Sequence, residues 1–146
     1  MPPVFSHFGI CVSDLDRSLT FYCEALGFGP AESHQIGSEF ARLMELDEVS
    51  LRSQFIRREG MAIELLSFAE PAPFGESVPR PINQLGLTHL SFRVTDLDGT
   101  AARISELGGS VLEHTRTSFD LSGTTLDFVY CTDPDGVRIE LMDLGD

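Results

Sequence analysis

Residues 4–12 alternate in character: Phe5, His7, Gly9 and Cys11 fall on one side of an extended chain, and Phe8, Ile10 and Val12 on the other. That period of two predicts a β-strand with one wholly apolar face. Ser13-Asp14 then supplies a capping acceptor. Leu15, Leu19, Tyr22, Ala25 and Leu26 recur at helical spacing as far as Gly27, so a helix is predicted over about 15–26. Further strands are predicted near Phe40–Leu46, Leu51–Arg57 and Met61–Phe68, with Glu59-Gly60 turning between the last two. Pro71, Pro73, Pro79 and Pro81 rule out regular structure and mark a linker over about 70–84. The pattern then starts again. A strand over Leu87–Val94 leads to a helix over about Leu97–Leu107, closed by Gly108-Gly109. Strands near Val111–Thr115, Thr125–Cys131 and Gly136–Met142 follow, the last two joined by Asp133-Pro134-Asp135-Gly136.

The repetition extends to individual residues. Ser6-His7-Phe8-Gly9-Ile10-Cys11-Val12-Ser13-Asp14-Leu15-Asp16 returns as Thr88-His89-Leu90-Ser91-Phe92-Arg93-Val94-Thr95-Asp96-Leu97-Asp98, and Ala62-Ile63-Glu64-Leu65-Leu66 as Arg138-Ile139-Glu140-Leu141-Met142. The histidines are 82 residues apart and the glutamates 76, a difference that loop length absorbs. The prediction is therefore an α+β fold of two tandem βαβββ modules, about 4–69 and 85–143, in a single domain spanning 1–146.

Each module contributes one histidine and one glutamate on the strand face that is not uniformly apolar. A strand carboxylate between apolar neighbours is costly unless it is paired or holds a cation. Two imidazoles and two carboxylates at matching positions suit one divalent ion, Ni²⁺, Co²⁺, Zn²⁺, Mn²⁺ or Fe²⁺, with positions left open for substrate. His7, Glu64, His89 and Glu140 are the predicted ligands. Arg93, on the His89 face, and Arg138, beside Glu140, are candidates to hold an anionic group of a substrate. His34 and His114 have no counterpart in the other module and are expected in solvated segments.

The net charge of −13, with arginine as the only basic residue type, argues against nucleic acid and anionic membranes as partners. No run of about 18 apolar residues and no basic leader is present, so a cytoplasmic protein is expected. Cys11, Cys23 and Cys131 lack metal-ligand or disulfide spacing and read as reduced thiols.

The chain resembles the vicinal oxygen chelate superfamily, which includes glyoxalase I, methylmalonyl-CoA epimerase, extradiol dioxygenases and the fosfomycin and bleomycin resistance proteins. The resemblance rests on His7 with Val12-Ser13-Asp14, on Ser18-Leu19-Thr20-Phe21-Tyr22 leading to Leu26-Gly27-Phe28, and on Ile63-Glu64-Leu65. It continues in Thr88-His89-Leu90 and in Asp133-Pro134-Asp135-Gly136 before Ile139-Glu140-Leu141. It implies paired modules whose curved mixed sheets form a metal-holding cleft, with the same four ligands. It also implies a small-molecule substrate, with a thioester or thiol adduct in view, and a homodimer. Four intact ligands are similar to the isomerase branch, in which the metal stabilises an enediolate formed by proton removal beside a carbonyl. Glu64 or Glu140 would be the base in glyoxalase-like members, and Glu48 in epimerase-like ones. Two rivals remain: an Fe²⁺ extradiol dioxygenase, for which one carboxylate is surplus, and a non-catalytic antibiotic-binding protein.

Overall fold

Asp14 stands in an extended conformation and its carboxylate accepts a hydrogen bond from Arg17 N at 3.0 Å, which satisfies one of the unpaired amides of a helix start. Helix α1 therefore runs from Leu15 to Leu26. Its buried residues, Ser18, Phe21, Tyr22 and Leu26, form one stripe turned towards the sheet. In the computed structural model, which describes residues 1–145, the chain forms two units, Met1–Gly75 and a second starting at Glu76.

In the first unit, β1 (Phe8–Cys11), β2 (Gly29–Ile36), β3 (Ser50–Arg58) and β4 (Met61–Glu70) make a mixed sheet in the order β1-β4-β3-β2. β1 is parallel to β4, and β3 is antiparallel to both of its neighbours. Ile10, Val12, Ile56, Ile63 and Leu65 are buried with the helix stripe. Burying each such side chain fully is worth about 1.5–3 kcal/mol. The second unit repeats the arrangement. β5 (Leu90–Arg93), β6 (Ser110–Leu121), β7 (Thr124–Thr132) and β8 (Arg138–Asp143) lie in the order β5-β8-β7-β6. Helix α2 (Leu97–Glu106) is capped by Asp96 accepting from Gly99 N at 2.8 Å, and it buries Leu97, Ala101 and Ile104. The order βαβββ is thus present twice, as the pattern predicts.

The strand predicted near Phe40–Leu46 is not formed. Ser38–Phe40 is a single 3₁₀ turn, and Met44 N and Leu46 N donate back to Phe40 O and Ala41 O, so the segment is a coil of turns. Its apolar residues suit this: Ala41 packs with Val49 and Leu51, and Met44 and Leu46 close over them. The strand falls instead at Gly29–Ile36, an exposed edge strand whose polar sequence hides it. Residues 116–121, beyond the strand predicted near Val111–Thr115, continue β6. They turn into β7 through Ser122-Gly123 (φ 52° and 86°), as Glu59-Gly60 (φ 49° and 80°) joins β3 to β4. Both pairs have the two positive φ values that a tight hairpin needs, and glycine adopts them without strain. Among the described residues no helix is long and apolar enough to cross a membrane.

Arg116 ties the second unit's helix to its sheet. Its Nε donates to Asp127 Oδ1 at 2.7 Å and its terminal nitrogens to Asp98 Oδ1, at 2.8 Å, and to Asp127 Oδ2. The hydrogen bond from Arg116 holds the Asp127 carboxyl below its ordinary range. A depressed carboxyl stabilises the fold above the unfolded value of about 3.9, and that contribution disappears as pH falls through the folded value. Arg116→Ala is expected to cost about 1 kcal/mol at neutral pH, and the cost shrinks as pH falls below about 3.9 through the folded value; urea midpoints across that range check this.

Candidate functional site

His7 and His89 each stand immediately before a short parallel edge strand, β1 and β5. The strand predictions 4–12 and 87–94 were longer than the ladders that form, because only four residues of each strand pair with β4 or β8. Both imidazoles are instead fixed by the residue before them. Ser6 Oγ lies 2.8 Å from His7 Nδ1, and Thr88 Oγ1 lies 2.9 Å from His89 Nδ1.

The glutamates sit mid-strand. Glu64 lies between Ile63 and Leu65, both 0% exposed, and Glu140 between Ile139 and Leu141, also 0%. Burial of those neighbours under the helices turns each carboxylate to the opposite face. There Glu64 Oε2 is 3.2 Å from His7 Nε2, and Glu140 Oε2 is 3.4 Å from His89 Nε2. Each glutamate also accepts a serine hydroxyl. Ser53 Oγ donates to Glu64 Oε1 at 2.5 Å, and Ser91 Oγ to Glu140 Oε2 at 2.7 Å. Behind each histidine an aromatic ring packs edge-on: Phe55 at 5.1 Å from His7 and Tyr130 at 5.5 Å from His89. Phe55 and Tyr130 are the cross-strand partners of Glu64 and Glu140.

These donors fit a divalent cation. Metal–nitrogen and metal–oxygen bonds of about 2.0–2.2 Å place adjacent ligands of a tetrahedral or octahedral ion roughly 3.0–3.4 Å apart. In the tautomer that donates Nδ1–H to the hydroxyl, Nε2 carries the lone pair that a metal requires. That lone pair faces a carboxylate, an opposition that a cation or proton between them relieves. Among the described residues no three His, Cys, Asp or Glu side chains gather on one ion; each unit supplies a pair.

Arg93 lies two positions beyond Ser91 on β5 and shares the Glu140 face. The Arg138 guanidinium is 4.9 Å above the Tyr130 ring and donates to Arg80 O at 2.7 Å, so it braces the ring behind His89 and is anchored to the linker. Glu48 is not brought to the first pair. Glu64 lies opposite Phe55, about 17 Å of strand separates Phe55 from Ser50, and Glu48 sits beyond, exposed on a bend. His34 is exposed, with its ring 6.4 Å from Phe55, and His114 is exposed on β6. Cys11, Cys23 and Cys131 form no disulfide, and burial pushes Cys131 up to about 11. Ser6, Thr88, Ser53, Ser91, Phe55 and Tyr130 have no place in the predicted site. For Ser6 and Thr88 the signal is visible in the repeat, since a hydroxyl residue precedes the histidine in both copies.

Two βαβββ modules, each with a histidine–glutamate pair on the sheet face away from its helix, define a tandem-module protein of the glyoxalase type. The family model for the Glyoxalase/Bleomycin resistance protein/Dioxygenase superfamily matches residues 4–141, and the chain belongs to that superfamily. It is 32% identical over 135 residues to the uncharacterized protein YaeR of Escherichia coli strain K12, covering 92% of each chain. It is 24% identical over 138 residues to glyoxylase I 4 of Arabidopsis thaliana, covering 93% of this chain and 68% of that one. Among solved structures, a glyoxalase family protein from Bacillus cereus superposes with a TM-score of 0.80 over 95% of this chain and 92% of that one, at 20% identity.

Proposed function

We propose that His7, Glu64, His89 and Glu140 together hold one divalent cation, and that the protein is an isomerase or lyase that moves a proton beside a carbonyl or thioester carbonyl. The observation that carries this reading is the matched pair of His–Glu contacts, at 3.2 and 3.4 Å, each backed by a hydroxyl on Nδ1 and a serine on the carboxylate. The bound cation supplies Lewis acidity that makes the adjacent C–H acidic.

The two carboxylates have different parts. Both oxygens of Glu64 are engaged, Oε1 by Ser53 and Oε2 by His7, which suits a fixed ligand. Glu140 concentrates both contacts on Oε2, so Oε1 has no protein partner among the described residues, which supports its assignment as the atom that takes the proton. Arg93, at the exposed end of β5 on the same face, binds the anionic end of the substrate.

Deuterium exchange from D₂O tests the reading, with methylmalonyl-CoA and the glutathione hemithioacetal of methylglyoxal as probes. Metal-loaded protein is expected to exchange the α-hydrogen of one of them. Glu140→Gln is expected to slow exchange by roughly 100-fold or more, the scale of general-base catalysis, and Glu64→Gln to act chiefly through weaker metal binding. Metal binding with exchange in neither probe would move the assignment to a dioxygenase.

A further inference from the structure

A cavity of about 450 Å³ opens in the first unit on the helix side of the sheet, away from Glu64. Its floor is a row of cross-strand neighbours on three strands, Gln35 opposite Arg52 and Arg52 opposite Ser67. These share the face of Ile63 and Leu65, not that of Glu64. Helix α1 begins at Leu15 and leaves this end of the sheet uncovered, so its first turn forms the wall with Asp16, Leu15 and Leu19. The volume lies within the ligand-pocket range of about 300–1,000 Å³.

Opposite charges line this cavity without meeting. The side chains of Arg52 and Asp16 have no hydrogen-bond or ion-pair partner among the described residues, including each other. The chain has 23 acidic residues to 10 basic, so an unpaired arginine across a cavity from an unpaired aspartate is not explained by scarcity of partners. Asp14, also on the wall, is already committed as the helix cap. Gln54 supplies a further acceptor. It is only 8% exposed and lines the cavity, and its Nε2 is spent on the carbonyls of Ala31 (3.2 Å), Glu32 (3.4 Å) and Phe55 (2.8 Å), which leaves Oε1 without a protein donor among the described residues.

A bare anion would be repelled by the aspartates and a bare amine by the guanidinium. A molecule carrying both charges meets each with a partner. We propose that this cavity is a second ligand site, independent of the His–Glu pairs, for a small zwitterion with an aliphatic side chain, a free α-amino acid. Its carboxylate lies against Arg52 and the Ser67 hydroxyl, its ammonium between Asp16 and Gln54 Oε1, and its side chain on Leu15 and Leu19.

Titration of the full chain by isothermal calorimetry and amide NMR, with L-leucine, 4-methylpentanoate and 3-methylbutylamine as probes, tests this. Leucine is expected to bind with a Kd of about 1 mM or tighter. Each analogue, lacking one charge, should bind at least about tenfold more weakly, as should leucine to Arg52→Gln or Asp16→Asn, while His7→Ala leaves leucine binding unchanged. Thermal melting shows that the variants are folded. No saturation by about 20 mM leucine would overturn the proposal, as would 4-methylpentanoate binding as tightly as leucine or Arg52→Gln binding as tightly as the parent.

Discussion

Glu140→Ala is expected to lower the affinity for a divalent cation by at least roughly 100-fold, read by competition with a chromophoric chelator. Loss of a hydrogen-bonding partner of a ligand already costs 10–100-fold, and loss of the ligand itself exceeds that. Ser91→Ala, which removes only the 2.7 Å bond to Oε2, should stay within the smaller range and serves as the internal comparison. The fold should tolerate both changes, because Glu140 is partly exposed on the face opposite Ile139 and Leu141. Unchanged affinity in Glu140→Ala would remove Glu140 from the ligand set.

Leu65→Ala should destabilise the protein by about 2–5 kcal/mol, read from urea unfolding. Leu65 is 0% exposed, pairs across the sheet with Gln54, and stands on β4 with its side chain among those covered by α1. The rigid interior cannot close over the missing atoms. The position bears on function as well, since Leu65 and Ile63 are what turn Glu64 outward. A loss below about 1 kcal/mol would mean that the helix face of this sheet is not the packed core described.

Much of this was legible in the chain because the signals were doubled. The helices are confirmed at Leu15–Leu26 and Leu97–Glu106, where aspartate caps and apolar stripes coincide. The glutamate faces followed from alternation with buried neighbours. The edge strand Gly29–Ile36 was illegible because an exposed strand has no apolar face to display. The apolar run at 40–46 misled because a coil packed on Leu51 and Val49 needs apolar residues as much as a strand does. Glu48 entered only through the resemblance to epimerase-like members, whereas the register puts Phe55, not the start of β3, opposite Glu64. The serine contacts to the carboxylates were hidden for a different reason: Ser53 reaches Glu64 from β3 while Ser91 reaches Glu140 from β5, so the repeat does not align them.

The central claim is that the two His–Glu pairs serve a single ion. The direct measurement is the metal content of the protein stripped of metal, reloaded with Co²⁺ or Ni²⁺ and desalted, by elemental analysis against protein concentration. One ion per chain is the predicted result, and Glu64→Ala and Glu140→Ala should each abolish it. Two ions per chain, with each variant retaining one, would mean that the pairs are separate sites and would contradict the account.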